Sequence, residues 1–216
     1  MKVTAVIPAY NEETNIGNVL KVLVGINLLD EIIVVDDGSS DGTAEIAKSY
    51  GIEVIKLREN LGKGGAMMVG AKAATHPILL FLDADLIGLK VEHISNLIQP
   101  VIEDGYMMTV GIFEHGRIAT DLAQFLAPFL SGQRVVQKEL FSKVSNLDAT
   151  RFGVEVALTK YAKDNHFPVK EVILKDMTHV MKEEKLGLVK GFVARMKMYW
   201  EIAKYVSSNI KTGTKD

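Results

Sequence analysis

Two hydrophobic periods alternate along the first half of the chain. Val3–Pro8 (V-T-A-V-I-P) and Glu31–Asp36 (E-I-I-V-V-D) are short β-branched runs, the pattern of strands buried on both faces. Ile52–Leu57 and Pro77–Leu82 (P-I-L-L-F-L) predict a third and a fourth strand. Between the strands, Glu13–Val24 carries Ile16, Val19, Leu20 and Leu23 at helical spacing. Gly38-Ser39-Ser40-Asp41-Gly42 reads as a turn, with Asp41 or Thr43 capping a helix that runs through Ser49. Lys63–Ala74 is small, Gly-rich and helical. Strands alternating with helices predict right-handed βαβ units and a parallel sheet, hence an α/β fold.

The second half is less regular. Tyr106–Ile112 and Val169–Leu174 read as strands, and Thr120–Leu130 and Phe152–Ala162 as helices. Leu186–Val206 predicts a long amphipathic helix with Val189, Phe192, Val193, Met196, Trp200 and Ala203 as its stripe. No internal repeat or linker interrupts the pattern, so residues 1–216 are expected to form a single domain.

Composition narrows the class. With 48% hydrophobic and 24% charged residues the chain is globular rather than disordered or fibrous. No apolar run approaches the roughly 18–20 residues of a membrane helix, and Met1-Lys2-Val3-Thr4 leads straight into a strand without a signal-type cleavage site. A cytoplasmic protein is therefore expected. The lack of cysteine excludes disulfides, thiolate zinc and a Cys nucleophile. A net charge of −2 argues against a nucleic-acid partner. The charge is uneven, however: residues 185–216 hold seven Lys/Arg against two Asp/Glu, a basic tail on an acidic body. A basic amphipathic helix with Phe192, Tyr199 and Trp200 suits either docking, on its own domain or in a homodimer, or peripheral contact with an anionic membrane.

The polar clusters fall where the strands end: Tyr10-Asn11-Glu12, Asp36-Asp37, Asn60 to Gly65, and Asp83 to Asp85. In open parallel sheets ligands bind beyond the carboxyl ends of the strands. Asp83-Ala84-Asp85 offers two carboxylates just past a buried strand, suited to a hard divalent cation that bridges a diphosphate. Turn chemistry accounts for Gly38 to Thr43 but poorly for the adjacent acids Asp36 and Asp37, which predicts a ligand or cation there. Asn60-Leu61-Gly62-Lys63-Gly64-Gly65-Ala66 opens a helix whose N-terminus favours anions, and Lys63 adds a point charge. It matches neither G-x-x-x-x-G-K-[ST] nor G-x-G-x-x-G, and close packing of the helix on the sheet would equally explain its glycines. His179 offers a third ligand to a cation or a hydrogen bond to diphosphate. Glu155 can position a hydroxyl or act as a general base. Arg117 and Arg134 suit an acceptor phosphate or carboxylate.

Four of these segments carry a family resemblance. Val6-Ile7-Pro8-Ala9-Tyr10-Asn11-Glu12-Glu13, then V-V-D-D-G-S-S-D-G-T, G-K-G-G-A and F-L-D-A-D-L, in this order, resemble the family 2 glycosyltransferases and their relatives. The resemblance implies a GT-A fold with a mostly parallel central sheet flanked by helices. Residues 1–85 would form the nucleotide-sugar half, 86–185 the acceptor half, and 186–216 a basic C-terminal helix and tail. It implies a Mg²⁺- or Mn²⁺-dependent transferase using a UDP- or GDP-sugar. Pro8, Ala9, Tyr10, Glu12 and Asp37 would line the nucleoside pocket, Lys63 would sit by the donor, and Asp83 would hold the ribose. Asp85, with His179, would hold the metal-bound diphosphate and so serve catalysis alongside Glu155. Gly116-Arg117-Ile118-Ala119-Thr120, Phe129 to Arg134 and Phe152-Gly153-Val154-Glu155 resemble two subgroups, the glucosyl-3-phosphoglycerate synthases and the polyprenyl-phosphate sugar transferases. The acceptor is then a phosphoglycerate-like small molecule or a polyprenyl or lipid phosphate, bound by Arg117, Gly132 and Arg134. Gln133 departs from the first subgroup, which carries an acid there. A catalytically silent nucleotide-sugar module, or a phosphatase using the D-x-D acids, would be the alternatives.

Overall fold

The structure is a computed structural model that describes residues 1–114, 131–144 and 153–179. The expected helices at 120–130 and 186–206, and Arg117, lie outside the described residues.

Seven strands form one sheet in the order β3-β2-β1-β4-β7-β6-β8. They are β1 (Val3–Ala9), β2 (Glu31–Asp36), β3 (Glu53–Lys56), β4 (Ile78–Phe81), β6 (Met108–Phe113), β7 (Arg134–Gln137) and β8 (Val169–Leu174). The four predicted strands of the first half pair in parallel, as the βαβ reading requires. β7 runs antiparallel to both neighbours, β4 and β6, while β6 and β8 are parallel to each other. The sheet is thus mostly parallel with a single reversed strand. A separate ribbon pairs β5 (Leu86–Ile87) with β9 (Thr178–His179).

Helices α1 (Ile16–Leu23), α2 (Thr43–Ser49) and α4 (Val91–Ile102) cover one face. On the other lie α3 (Gly62–Ala73), α5 (Lys138–Lys143) and α6 (Val154–Asp164). Strand alternation feeds both cores: Val3, Ala5 and Ile7 meet α1 and α4, while Val6 faces α3 and α6. The helical stripe Ile16, Val19, Leu20 and Leu23 is fully buried, as its spacing predicts. Neither Asp41 nor Thr43 caps α2: Gly42 is its N-cap residue and no side chain closes the cap, while Asp41, one residue further out, accepts the Thr43 N–H at 3.1 Å.

The glycines of α3 serve packing as well as any ligand. A Cβ on Gly70 would lie 2.3 Å from Val6 Cγ1 and 3.1 Å from Val35 Cγ2, so its absence lets the helix settle onto β1 and β2. That close seat fixes where the N-terminus of α3, and with it Lys63, emerges at the strand ends. Among the described residues no helix is long and apolar enough to cross a membrane.

Candidate active site

At the carboxyl ends of β1 and β2, two loops lock onto each other. Asn11, held at φ 55°, donates its N–H to Ser39 Oγ at 2.9 Å and accepts the Ser40 N–H on its amide oxygen at 2.9 Å. Glu12 N–H donates to Thr43 Oγ1 at 2.8 Å, and Glu13 Oε2 accepts the Gly42 N–H at 2.8 Å. A positive φ on a non-glycine residue is strained, and Asn tolerates it best. These bonds preorganise the wall that carries Pro8, Ala9, Tyr10, Glu12 and Asp37. Tyr10 is exposed at the rim while Ala9 and Asp37 are buried.

The adjacent acids have protein partners of their own. Asp36 Oδ1 accepts the Ser39 N–H at 3.0 Å, and its other oxygen stands 3.6 Å from Lys56 Nζ. Asp37 Oδ1 accepts the Leu61 N–H at 2.7 Å, tying the end of β2 to the entry of α3. Main-chain donors thus take one oxygen of each acid, while Asp36 Oδ2 is buried with no hydrogen-bond partner among the described residues, so turn chemistry explains the pair only in part.

The centre of the site joins the two halves of the chain. Lys63 Nζ lies 2.6 Å from Asp83 Oδ1 and 2.7 Å from Glu155 Oε1. Lys63 comes from the first turn of α3, Asp83 from just past β4, and Glu155 from the first turn of α6. Burial opposes the Lys63 ammonium, but the two carboxylates outweigh it and hold its pKa above the ordinary lysine value. Burial likewise opposes the Asp83 carboxylate, but Lys63 and the Gln133 amide hold its pKa below the usual carboxylate value. Gln133 Nε2 donates to Asp83 Oδ2 at 2.9 Å. The residue noted in the sequence only as a departure from one subgroup thus contacts the site directly.

Gly132 sits against this cluster. A Cβ there would lie 2.4 Å from Lys63 Nζ and 2.5 Å and 2.6 Å from the Asp83 oxygens. Arg134 departs from its expected role: it is fully buried, with a guanidinium that donates to main-chain carbonyls of Glu155 and Ser131. So placed, it presents nothing to an acceptor. Burial pushes its pKa down to about 10 against the opposing pull of Glu155 and Asp83.

The β5–β9 ribbon brings His179 into register with Leu86, the residue after Asp85. His179 is exposed, its ring 5.7 Å from that of Phe113. Among the described residues no three His, Asp or Glu side chains converge into a ready cation cage. A carboxylate just before β5 and an imidazole on β9 still fit a cation that completes its shell with phosphate and water, as Mg²⁺ does.

The comparisons with known proteins agree with this architecture. The family model for glycosyl transferase family 2 matches residues 4–159. An uncharacterized protein of Methanocaldococcus jannaschii is 29% identical over 91% of this chain and 90% of its own length. The dolichyl-phosphate beta-glucosyltransferase of Drosophila melanogaster is 36% identical, over 39% of this chain and 31% of that protein. Among solved structures, the glucosyl-3-phosphoglycerate synthase of Mycobacterium tuberculosis, in complex with Mn²⁺, UDP-glucose and phosphoglyceric acid, superposes with a TM-score of 0.71. It is 28% identical over 83% of this chain and 71% of that one. A matched span that takes in both the loop clamp and the Lys63–Asp83–Glu155 cluster makes the chain a member of glycosyl transferase family 2, a glycosyltransferase of GT-A fold.

Proposed function

We propose that this glycosyltransferase moves a hexose from a UDP-sugar, with UDP-glucose the leading donor, to a hydroxyl of a phosphoglycerate-like acceptor. The observation that carries the reading is Lys63 held between Asp83 and Glu155, a cation fixed where donor and acceptor halves meet. The donor, the metal and the acceptor class are supported by the likeness to the synthase solved with Mn²⁺, UDP-glucose and phosphoglyceric acid.

In this reading Pro8, Ala9, Tyr10, Glu12 and Asp37 line the nucleoside pocket on the clamped loops. Asp83 holds the ribose beside Lys63. Asp85 and His179 hold Mg²⁺ or Mn²⁺, which supplies charge neutralisation for the leaving diphosphate. Glu155, tied to Lys63 at 2.7 Å, positions the acceptor hydroxyl rather than acting as a free base. Gly132, with no Cβ, lets its loop lie directly against the Lys63–Asp83 pair on the acceptor side. Positioning and preorganised charge then supply most of the rate enhancement, because the transition state is positive at the sugar and negative at the leaving group.

The Drosophila relative favours a second acceptor class, a polyprenyl phosphate. Calorimetry with UDP, GDP and their glucose and mannose conjugates, with and without Mn²⁺, tests the donor. Binding of UDP-glucose that needs Mn²⁺ and is lost in Asp85→Ala is expected. Transfer assays offering 3-phosphoglycerate and a short polyprenyl phosphate then separate the two acceptors. No metal-dependent binding of any conjugate would overturn the assignment in favour of a silent module.

A further inference from the structure

Arg134 opens β7 in the middle of the sheet, in register with Phe81 of β4 and Val110 of β6. It is 0% exposed, the largest side chain so enclosed among the described residues. Burying a guanidinium removes a full charge from water, and an apolar residue of similar volume would occupy such a place at lower cost. Its surroundings are those of the core, with the Met108 thioether 4.0 Å away.

Its hydrogen bonds show what an apolar residue would not provide. Nη1 donates to the main-chain oxygen of Glu155 at 3.1 Å, and Nη2 donates to that of Ser131. The Glu155 carbonyl also accepts the Thr159 hydroxyl at 2.8 Å. Arg134 Nε finds no hydrogen-bond acceptor among the described residues. The planar fork is thus committed at its two outer nitrogens, each to a different segment. One segment is the first turn of α6, which delivers the Glu155 carboxylate to Lys63. The other is the 131–133 loop, which lays Gly132 against the Lys63–Asp83 pair and sends Gln133 to Asp83. Both sides of the cluster that belong to the second half of the chain are anchored on one side chain. Lysine, with a single ammonium on a flexible stem, lacks the rigid fork that reaches two carbonyls in fixed directions.

We propose that Arg134 is a positioning residue for sugar transfer. Its guanidinium joins the start of α6 to the 131–133 loop, so that Glu155 and Asp83 close on Lys63 in one fixed geometry. The role rests on the proposed transfer reaction at this site. It acts from beneath the cleft, without touching donor or acceptor, and reaches the donor side only through the Gln133–Asp83 contact, whereas the loop clamp of β1 and β2 is built from other bonds.

The test compares Arg134→Met and Arg134→Lys with wild type in steady-state transfer, thermal unfolding and amide hydrogen exchange. For Arg134→Met, kcat is expected to fall at least tenfold, and by more than the KM for UDP-glucose rises through the Gln133–Asp83 contact. Arg134→Lys is expected to recover part of that kcat. Exchange is expected to quicken at Gln133 and in the first turn of α6, and not in the Asn11–Ser39 clamp. A folded Arg134→Met enzyme with kcat within twofold of wild type overturns the proposal, as does unchanged exchange in both segments. Should Arg134→Met fail to fold, Arg134→Lys decides alone, and wild-type kcat with wild-type exchange overturns the proposal. If the wild type transfers no sugar from any donor, the functional reading fails, and the exchange data still decide whether Arg134 fixes the two segments.

Discussion

Gly132 shows how much one missing methyl can matter at this site. Alanine there would bring Cβ within 2.6 Å of three charged atoms, Lys63 Nζ and both Asp83 oxygens. The ammonium ends a flexible stem and can swing aside. The Asp83 carboxylate is short and held by the Gln133 amide at 2.9 Å, so it must shift against that bond even after Lys63 has moved. Moving Lys63 lengthens its contact with Glu155 as well, because one nitrogen serves both acids. Gly132→Ala is therefore expected to lower kcat about tenfold or more, with a stability loss of about 1–3 kcal/mol typical of overpacking. Parallel kinetics and urea unfolding check this. A variant with wild-type kcat would mean that the Lys63 bridge is not needed for turnover.

Among the elements, the parallel half was legible because β1, β2 and β4 are nearly continuous apolar runs and α1 keeps its stripe. β2 and β8 coincide with the runs Glu31–Asp36 and Val169–Leu174. Helix α4 escaped the sequence reading although Ile94, Leu97, Ile98 and Val101 keep helical spacing, and Pro100 sits inside it. β7 is only R-V-V-Q, led by a charged residue that turns out to be fully buried, so no hydrophobic pattern announces it. The same limit applies to the site. Motif acids and Lys63 stood out as polar clusters at strand ends, whereas the contacts of Gln133 and Arg134 depend on β7 joining β4 and β6. Helix α3 offers a test of how the sheet sets the site. Gly70→Ala gains up to about 1 kcal/mol of helix propensity. Against that, its Cβ would meet the stiff, β-branched Val6 at 2.3 Å. The clash outweighs the gain, and a net loss of about 1–3 kcal/mol is expected in chemical denaturation. Because α3 must lift from the sheet and carries Lys63, kcat is expected to fall too. A stabilised, fully active Gly70→Ala would show that α3 has slack on the sheet.

At the scale of the whole molecule, the sheet separates chemistry from anchoring. The site occupies the carboxyl ends of the strands. At the opposite ends, Glu31 ties three segments together: its carboxylate accepts the Thr4 hydroxyl and, at 2.9 Å and 3.2 Å, the Thr75 N–H and hydroxyl. Burial opposes the ionised form of Glu31, but these donors outweigh it and lower its pKa below the usual glutamate value. A folded-state pKa below the unfolded one stabilises the fold above the unfolded value of about 4.3 and loses that contribution as pH falls through the folded value. Glu31→Gln keeps the size of the side chain and removes the charge. It is expected to cost about 1–2 kcal/mol at neutral pH, the scale of hydrogen bonds to a charged group on a partly exposed side chain. The difference from wild type should shrink as pH drops below about 4, since the wild-type carboxylate is then protonated as well. The sheet lies between Glu31 and the Lys63 cluster, so UDP-glucose affinity and kcat at pH 7 should be unchanged. Urea titrations of both proteins at several pH values, beside one calorimetric donor titration, read both halves of this expectation. A stability difference that persists at acid pH would assign the loss to packing, and a changed donor affinity would mean that strain at one end of the sheet reaches the other.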